Sequence, residues 1–341
     1  MKTWLFCWRN VLAVVIVGFF VIVAAAAPLL SPPDDPENPT PFRVLWGNTE
    51  PLPLPPNQDA PLGTVVYRGA EELFHFDVFH SLVWGTRAAL RFGLVTALVT
   101  ACFGILVGLT SGYVGGWFNS LAIRVTDVFL AFPMIAGVWL FRQILFDAYD
   151  QLHQATWLYV NWDAPDQPIA IVPTLLQRLL MANWLDPLML TFILFSWMPY
   201  ARIINAIVLR EKQEEYVMAA RSLGAGSARI IFRHLLPNVI APAIVLVARD
   251  IGALVILQAA FTFVGINGTM GVQWEIGRWF SPVPEWARLL VMGREWIIGA
   301  YGNPFTYWWM YLPATLALIL FGVGWNVLGD RLNVILNPRV S

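Results

Sequence analysis

Three short stretches of this 341-residue chain carry side chains that could do chemistry. The first, "FHFDVFH" at 74–80, holds His75, Asp77 and His80, two imidazoles and a carboxylate of the kind that ligate a metal ion. Their spacing argues against that use. His75 and His80 are five apart, whereas neighbours on one helix face are three or four apart. The stretch reads as an amphipathic lead into an apolar segment, and no metal site is assigned. The second, "ARDIG", sets Arg249 beside Asp250 inside an apolar run, where ionisable groups are costly and face a bundle interior or a watery cavity. Adjacent helical residues point about 100° apart, so the two do not simply neutralise each other. Either they pair with another helix or a partner subunit, or one of them lines a solute pathway. The third, "EEYVMAARSLGAGSARIIFRHLLPN" at 214–238, is charged and helix-prone, yet it lies between two long apolar runs.

No stretch supplies a catalytic set. His153, His234 and the acidic residues are scattered over predicted loops, and an enzyme needs its groups to converge. Cys7 and Cys102 have neither metal-ligand nor disulfide-framework spacing. A phosphate-binding G-x-x-x-x-G-K-[ST] loop is missing from the sequence, and "GAGSAR" lacks the lysine. The chain is therefore expected to be non-catalytic and to bind no cofactor itself. A net charge of −1 gives no field to attract nucleic acid.

The elements that must position these residues are membrane helices. The chain is 58% hydrophobic and only 13% charged, where soluble domains average about a quarter charged. Six apolar runs, at about 11–30, 89–112, 121–145, 186–208, 240–264 and 310–329, are long enough to span a bilayer. In lipid their backbones must bond internally, so the expected fold is an all-α integral membrane protein with six transmembrane helices. Phe132–Pro133 is expected to kink the third. Arg124 and Asp127, three apart, are expected to pair on its surface. The first run ends in "AAAAP", like a cleavage site, but its length reads as an uncleaved anchor.

Charge sets the orientation. Arg202, Arg210, Lys212, Arg221, Arg229 and Arg233 surround the fourth-to-fifth connection, Lys2 and Arg9 lie at one terminus, and Arg331 and Arg339 lie at the other. With six spans these fall on one side by parity, and positive charge marks that side as cytoplasmic. The opposite loops are acidic or mixed. The first holds eleven prolines within residues 28–61, which rules out regular helix or central strand and predicts an extended arm or a disordered linker. The other two hold Trp157, Trp162, Trp184, Trp274, Trp279, Trp286, Trp296, Trp308 and Trp309, which read as interfacial anchors or as a docking surface. The organisation is then an N-terminal transmembrane anchor over 1–30 and an extracytoplasmic Pro-rich arm with its amphipathic stretch over 31–85. A five-helix domain follows over 86–330, with a cytoplasmic loop at about 209–238, and a cytoplasmic tail over 331–341.

Residue by residue, the charged loop is two short helices with a break. Residues 211–223 are strong helix formers. Gly224 suits a left-handed C-terminal cap, Gly226 loosens the turn, and Ser227 is placed to cap the next helix. Pro237 breaks the ladder or starts the next element. Small Ala219 and Ala220 allow a partner close approach. A helix–turn–helix of this kind is either an ordinary connector or a part shaped for a partner's groove.

The order Glu215, Ala219, Ala220, Gly224, Leu236 and Pro237 resembles the cytoplasmic "EAA" signature of ABC importer permeases. "WRNVLAVVIVGFFVIVAAAAPLLSP", "DVFHSLVWGTRAALRFGL", "GLTSGYVGGWFNSLAIRVTDVFLAFP" and "NVLGDRLNVILNPR" extend the likeness to the C-type subunit of the dipeptide/oligopeptide permease family. It covers about residues 1–33 and 77–339. The resemblance implies a type I ABC importer permease fold and a coupling helix seated in an ATPase subunit. Glu215, Tyr216, Ala219, Ala220, Gly224, Ala225, Gly226, Ser227, Arg229 and Pro237 would form that loop. It implies a prokaryotic inner membrane and both termini cytoplasmic. The implied partners are a second permease subunit, one or two ATPase subunits that use ATP and Mg, and an extracytoplasmic substrate-binding protein. The sequence departs from the pattern in its long first outer loop, in an insertion between Gly63–Thr64 and Asp77–Phe79, and in two expanded later loops. These departures leave peptides, nickel and oligosaccharides all open as substrate classes. The rival reading, a secondary transporter or channel subunit, calls for repeated halves, and no clear internal repeat is present.

Overall fold

The computed structural model describes residues 8–33, 43, 45, 50–68, 73–141, 187–264, 286–299 and 302–336. Cys7, His153, Arg339 and the tryptophans at 157, 162, 184, 274 and 279 lie outside them. The described elements run in the order α1 (Trp8–Leu30), β1 (Thr64–Arg68), β2 (Leu73–Asp77), α2 (Val78–Val114), α3 (Gly116–Ala131) and α4 (Met134–Phe141). They continue with α5 (Pro187–Ser196), α6 (Met198–Glu211), α7 (Glu215–Ser222), α8 (Ser227–Ile230), a π turn (Ile231–Leu235) and α9 (Leu236–Val264). Last come α10 (Trp286–Met292), α11 (Arg294–Ile297), a 3-10 turn (Pro304–Met310) and α12 (Leu312–Leu336). Among the described residues, five helical runs are long and apolar enough to cross a membrane, and six if the bent pair α3–α4 counts as one.

That bent pair corrects the expected kink. The two helices meet at 89°. Phe132, forced toward extended backbone by the proline that follows, has φ −79° and ψ 130°, so α3 ends there. Asp127 also differs from expectation. It pairs with Arg202 of α6 at 3.5 Å and not with Arg124, because the helix packed alongside offers a closer cation.

The chain divides into two compact units, residues 1–97 with 244–341, and residues 98–243. In the first, α1 buries Ala13, Val17, Phe20 and Ala27, spaced so that one helical face turns inward. The Phe20 ring lies 5.2 Å from Phe321 of α12 and 5.7 Å from Trp286 of α10. Gly324 lets α1 approach, since a Cβ there would sit 2.6 Å from Ile16. On the far side of this face Val14, Val15 and Ile22 remain exposed, as suits a lipid-facing surface.

Where it is described, the stretch between α1 and α2 is more ordered than a linker. β1 and β2 form an antiparallel hairpin with Thr64 opposite Asp77, a strand pair in a region read from sequence as amphipathic lead-in. Residues 43 and 45 run along the other edge of β2, with Leu45 N–H donating to the His75 carbonyl and Asp77 N–H to that of Arg43. The proline-rich stretch takes neither helix nor strand over 50–63, as proline demands. It is nonetheless tied down, with Thr64 N–H donating to Leu54 at 2.9 Å. Gly63, at φ 75°, leaves room for Trp309, whose ring a Cβ would meet at 2.6 Å. Trp286, Trp296 and Trp309 are buried. Indole N–H groups reach protein carbonyls, Trp286 to Leu82 at 3.0 Å and Trp309 to Thr64 at 3.3 Å. Trp286 and Trp309 are thus internal anchors of this unit, their polar tips satisfied by protein carbonyls, while Trp308 is 43% exposed.

In the second unit, α2 lies against α6 along a glycine stripe. A Cβ at Gly104, Gly108 or Gly112 would meet Tyr200 at 2.5 Å, the Ala201 carbonyl at 2.7 Å or Val208 at 2.9 Å. Small residues at this spacing let two backbones approach, which is how helices gain packing energy where no hydrophobic drive separates them from lipid. Asn205 of α6 donates to Ser111 at 2.8 Å and to Asn119 at 2.6 Å, binding α2 and α3 to it.

Candidate functional site

The connection between α6 and α9 belongs to this second unit and is held by three buried residues. Val217 of α7, Ile230 of α8 and Leu235 of the π turn join Leu109, Ile204, Val208, Val239 and Ala243 in one apolar cluster. Lys212, at the end of α6, donates to the Gly112 carbonyl at 2.8 Å, which ties the ends of α2 and α6 together. Helix formation is interrupted here. Lys212 and Gln213 form a turn, and α7 begins after Glu214, so the helix-forming run at 211–223 is broken. Glu215 in the first turn of α7 and Arg221 in the last complement its dipole.

The end of α7 has a defined geometry. Gly224 takes φ 80°, the left-handed conformation expected of a cap. Its N–H donates to Arg221 and that of Ala225 to Ala220, each at 3.0 Å, the paired bonds of a Schellman motif. Ala225 then packs against the apolar cluster. Ser227 does not cap α8. Gly226, with φ −68° and ψ 158°, is the N-cap and accepts from Ile230 N–H, which leaves Ser227 as the first helical residue with its hydroxyl outward. Pro237 is the second residue of α9, at the start of that element as expected, without a break in the helical run. The π turn just before it widens the ladder, with Leu236 N–H reaching Ile231, and the helical run continues from Ser227 to Val264.

What the loop shows outward is unusual for a polar connector. Leu223 is 89% exposed and Met218 53%, beside exposed Tyr216, Ala219 and Phe232. Arg221, Arg229 and Arg233 surround them, also exposed. Apolar side chains held outward on a turn and rimmed by charge are the make-up that protein-docking surfaces share. Close by, the Glu211 carboxylate accepts from Arg210 and from the Tyr216 hydroxyl, both at 2.9 Å. Burial and the neighbouring Glu211 push the Tyr216 phenol up to about 12, so it stays a donor.

The remaining candidates sit elsewhere. Arg249 bonds to Asp330 of α12, and Gly329 makes room for its stem, since a Cβ there would meet Arg249 Cγ at 2.6 Å. Asp250 is partly buried on another face of α9. His75, Asp77 and His80 turn to separate partners. His75 lies 3.2 Å from the Thr64 hydroxyl and 2.9 Å from the Glu50 carbonyl, and His80 lies 2.6 Å from Ser31. Asp77 caps α2 by accepting from Phe79 N–H at 2.9 Å. Asp330 and Asn238 escaped the sequence reading because each acts through a partner distant in sequence, 81 and 22 positions away.

A multi-pass helical membrane chain with an apolar-faced helix–turn–helix has the build of a transport permease. The chain belongs to the family described as binding-protein-dependent transport system inner membrane component, which matches residues 104–341. It is 29% identical over 268 residues to the dipeptide transport system permease protein DppC of Alkalihalophilus pseudofirmus, covering 79% of this chain and 70% of that one. It is 28% identical over 266 residues to the glutathione transport system permease protein GsiD of Pectobacterium atrosepticum, covering 78% and 70%. It is 25% identical over 305 residues to the DppC of Haemophilus influenzae, covering 88% and 83%.

Proposed function

We propose that this chain is a transmembrane permease subunit of an ATP-driven importer of short peptides or a related small solute. The peptide class rests on the names of its relatives. Energy comes from separate ATPase subunits that use ATP and Mg, and the chain itself performs no chemistry. A second permease chain completes the pathway, and an extracytoplasmic binding protein delivers the solute to the outer face. The protein lies in the prokaryotic inner membrane with the loop at about 209–238 and both termini in the cytoplasm. Arg249 pairs with Asp330 between two helices of this chain, and Asp250 serves the contact between permease chains or lines the pathway.

The observation that carries the reading is the loop itself: Leu223 and Met218 held outward by a Schellman turn, on a base fixed by Val217, Ile230 and Leu235. Such a surface fits an apolar cleft on a soluble partner. Leu223→Arg should leave the chain inserted and reduce co-purification of the ATPase subunits. Full retention of the ATPase by that variant would refute the docking role.

A further inference from the structure

We infer that Tyr216, Glu211 and Asn238 form a brace that makes α7 move as one body with α6 and the start of α9. This rests on the proposed coupling role of the loop. The three residues come from three elements. Asn238 donates to the Tyr216 hydroxyl at 2.7 Å, and Tyr216 donates to Glu211 at 2.9 Å. Asn238 also reaches Glu211 at 3.4 Å and the His234 carbonyl at 3.1 Å, the latter within the π turn. The Glu211 side chain is only 16% exposed, so its carboxylate depends on these donors and on Arg210 for solvation. An isolated surface hydrogen bond would fix little. A relay that ends on a sheltered carboxylate, each bond polarising the next, holds one geometry better.

The consequence concerns transmission. α7 itself contributes one buried residue, Val217, to the unit. An eight-residue helix resting on one side chain can rock under load. The brace adds a second support on the neighbouring position, at Tyr216, and reaches both helices that enter the membrane from the loop. Any displacement that an ATPase imposes on α7 is then passed to α6 and α9 together. Tyr216, Glu211 and Asn238 are positioning residues, and none of them needs to touch the ATPase or the solute.

The test uses the whole transporter complex in lipid nanodiscs, in a Cys7→Ser, Cys102→Ser background. Spin labels are placed on single cysteines at Ser222 and Ile240, and their separation is measured without nucleotide and after trapping with vanadate and Mg-ATP. The braced protein should give one narrow distance, the same in both states. Tyr216→Phe keeps the ring and removes the hydroxyl, and should lose the single narrow distance. Glu211→Ala should do the same. Glu211→Gln keeps an acceptor oxygen and should retain the narrow distance, a rescue that a general folding defect would not allow. A narrow, unchanged distance in Tyr216→Phe, or equal broadening in both Glu211 variants, overturns the brace. The docking reading then still stands if Leu223→Arg sheds the ATPase, and falls separately if it does not.

Discussion

At the scale of single residues, Gly224 and Asp77 show two ways a local conformation constrains substitution. A Cβ at Gly224 would meet nothing within 4 Å, so the obstacle is the backbone, held at φ 80° by the two Schellman bonds. A β-branched residue there costs about 1–2 kcal/mol. Gly224→Val should therefore insert normally but tilt α7 and lower both ATPase retention and uptake, whereas Gly224→Asn, which tolerates this conformation, should do less harm. Equal behaviour of the two in a co-purification assay would contradict the argument. Asp77 is constrained by burial, which pushes its carboxyl above the usual value of 3.8, against the pull of the backbone N–H groups of His80 and Phe79 and of Arg43. The folded state thus holds the proton more tightly than the unfolded one. That contribution to stability is fully present below the unfolded pKa and is lost as pH rises through the folded pKa. Asp77→Asn keeps an oxygen for Phe79 N–H and should flatten the acid-range pH dependence of the melting temperature of the purified chain. Gly224 was legible in the sequence because so few residues take its conformation. Ser227 was misread by one position, since which of two adjacent small residues caps a helix depends on φ and ψ alone.

At the scale of elements, the glycine stripe on α2 sets how closely α6 can lie. The atoms that a Cβ at Gly108 would strike are the Ala201 carbonyl and the Ile204 Cβ, at 2.7 and 2.8 Å, and neither is a flexible side-chain tip. Gly108→Leu should destabilise by more than the roughly 1–3 kcal/mol of ordinary overpacking, because α6 has to move as a whole. Gly18, with open space around its Cβ, is the matched control. Thermal unfolding in detergent should fall for Gly108→Leu and barely change for Gly18→Leu. The six apolar runs were readable from length alone. The break between α3 and α4 was underestimated because Pro133 acts through Phe132 as well as through its own missing N–H. The hairpin stayed hidden because two five-residue strands, one inside a metal-like motif, carry too few residues to show a period.

At the scale of the whole molecule, charge within the membrane is the feature to test. Arg249 and Asp330 are 45% and 59% exposed in the isolated chain, yet both lie in membrane-spanning helices. A single unpaired charge at such a position is costly, and removing one partner should harm more than removing both. Arg249→Leu and Asp330→Leu should each lower the yield of monodisperse permease in detergent, and the double variant should recover part of it. A double variant worse than either single would mean that the two charges serve different neighbours. The pair was half legible. The sequence shows a costly arginine in the fifth span, but its partner lies 81 positions away and no periodicity links them.

The π turn at Ile231–Leu235 fixes a phase. It lodges one extra residue in a helical run that continues unbroken to Val264, so everything after it is rotated by about 100° from where a plain α-helix would set it. Val239 and Ala243 face the apolar cluster, and Asn238 faces Tyr216, only at that angular setting. The register of the helix is thus carried by an insertion rather than by any one side chain. Phe232, 62% exposed, could change identity freely without disturbing it. Deleting Phe232 is a different matter. The turn would close to ordinary α geometry, Pro237 would meet the ladder it now avoids, and the apolar face of α9 would swing out of alignment with the loop it anchors.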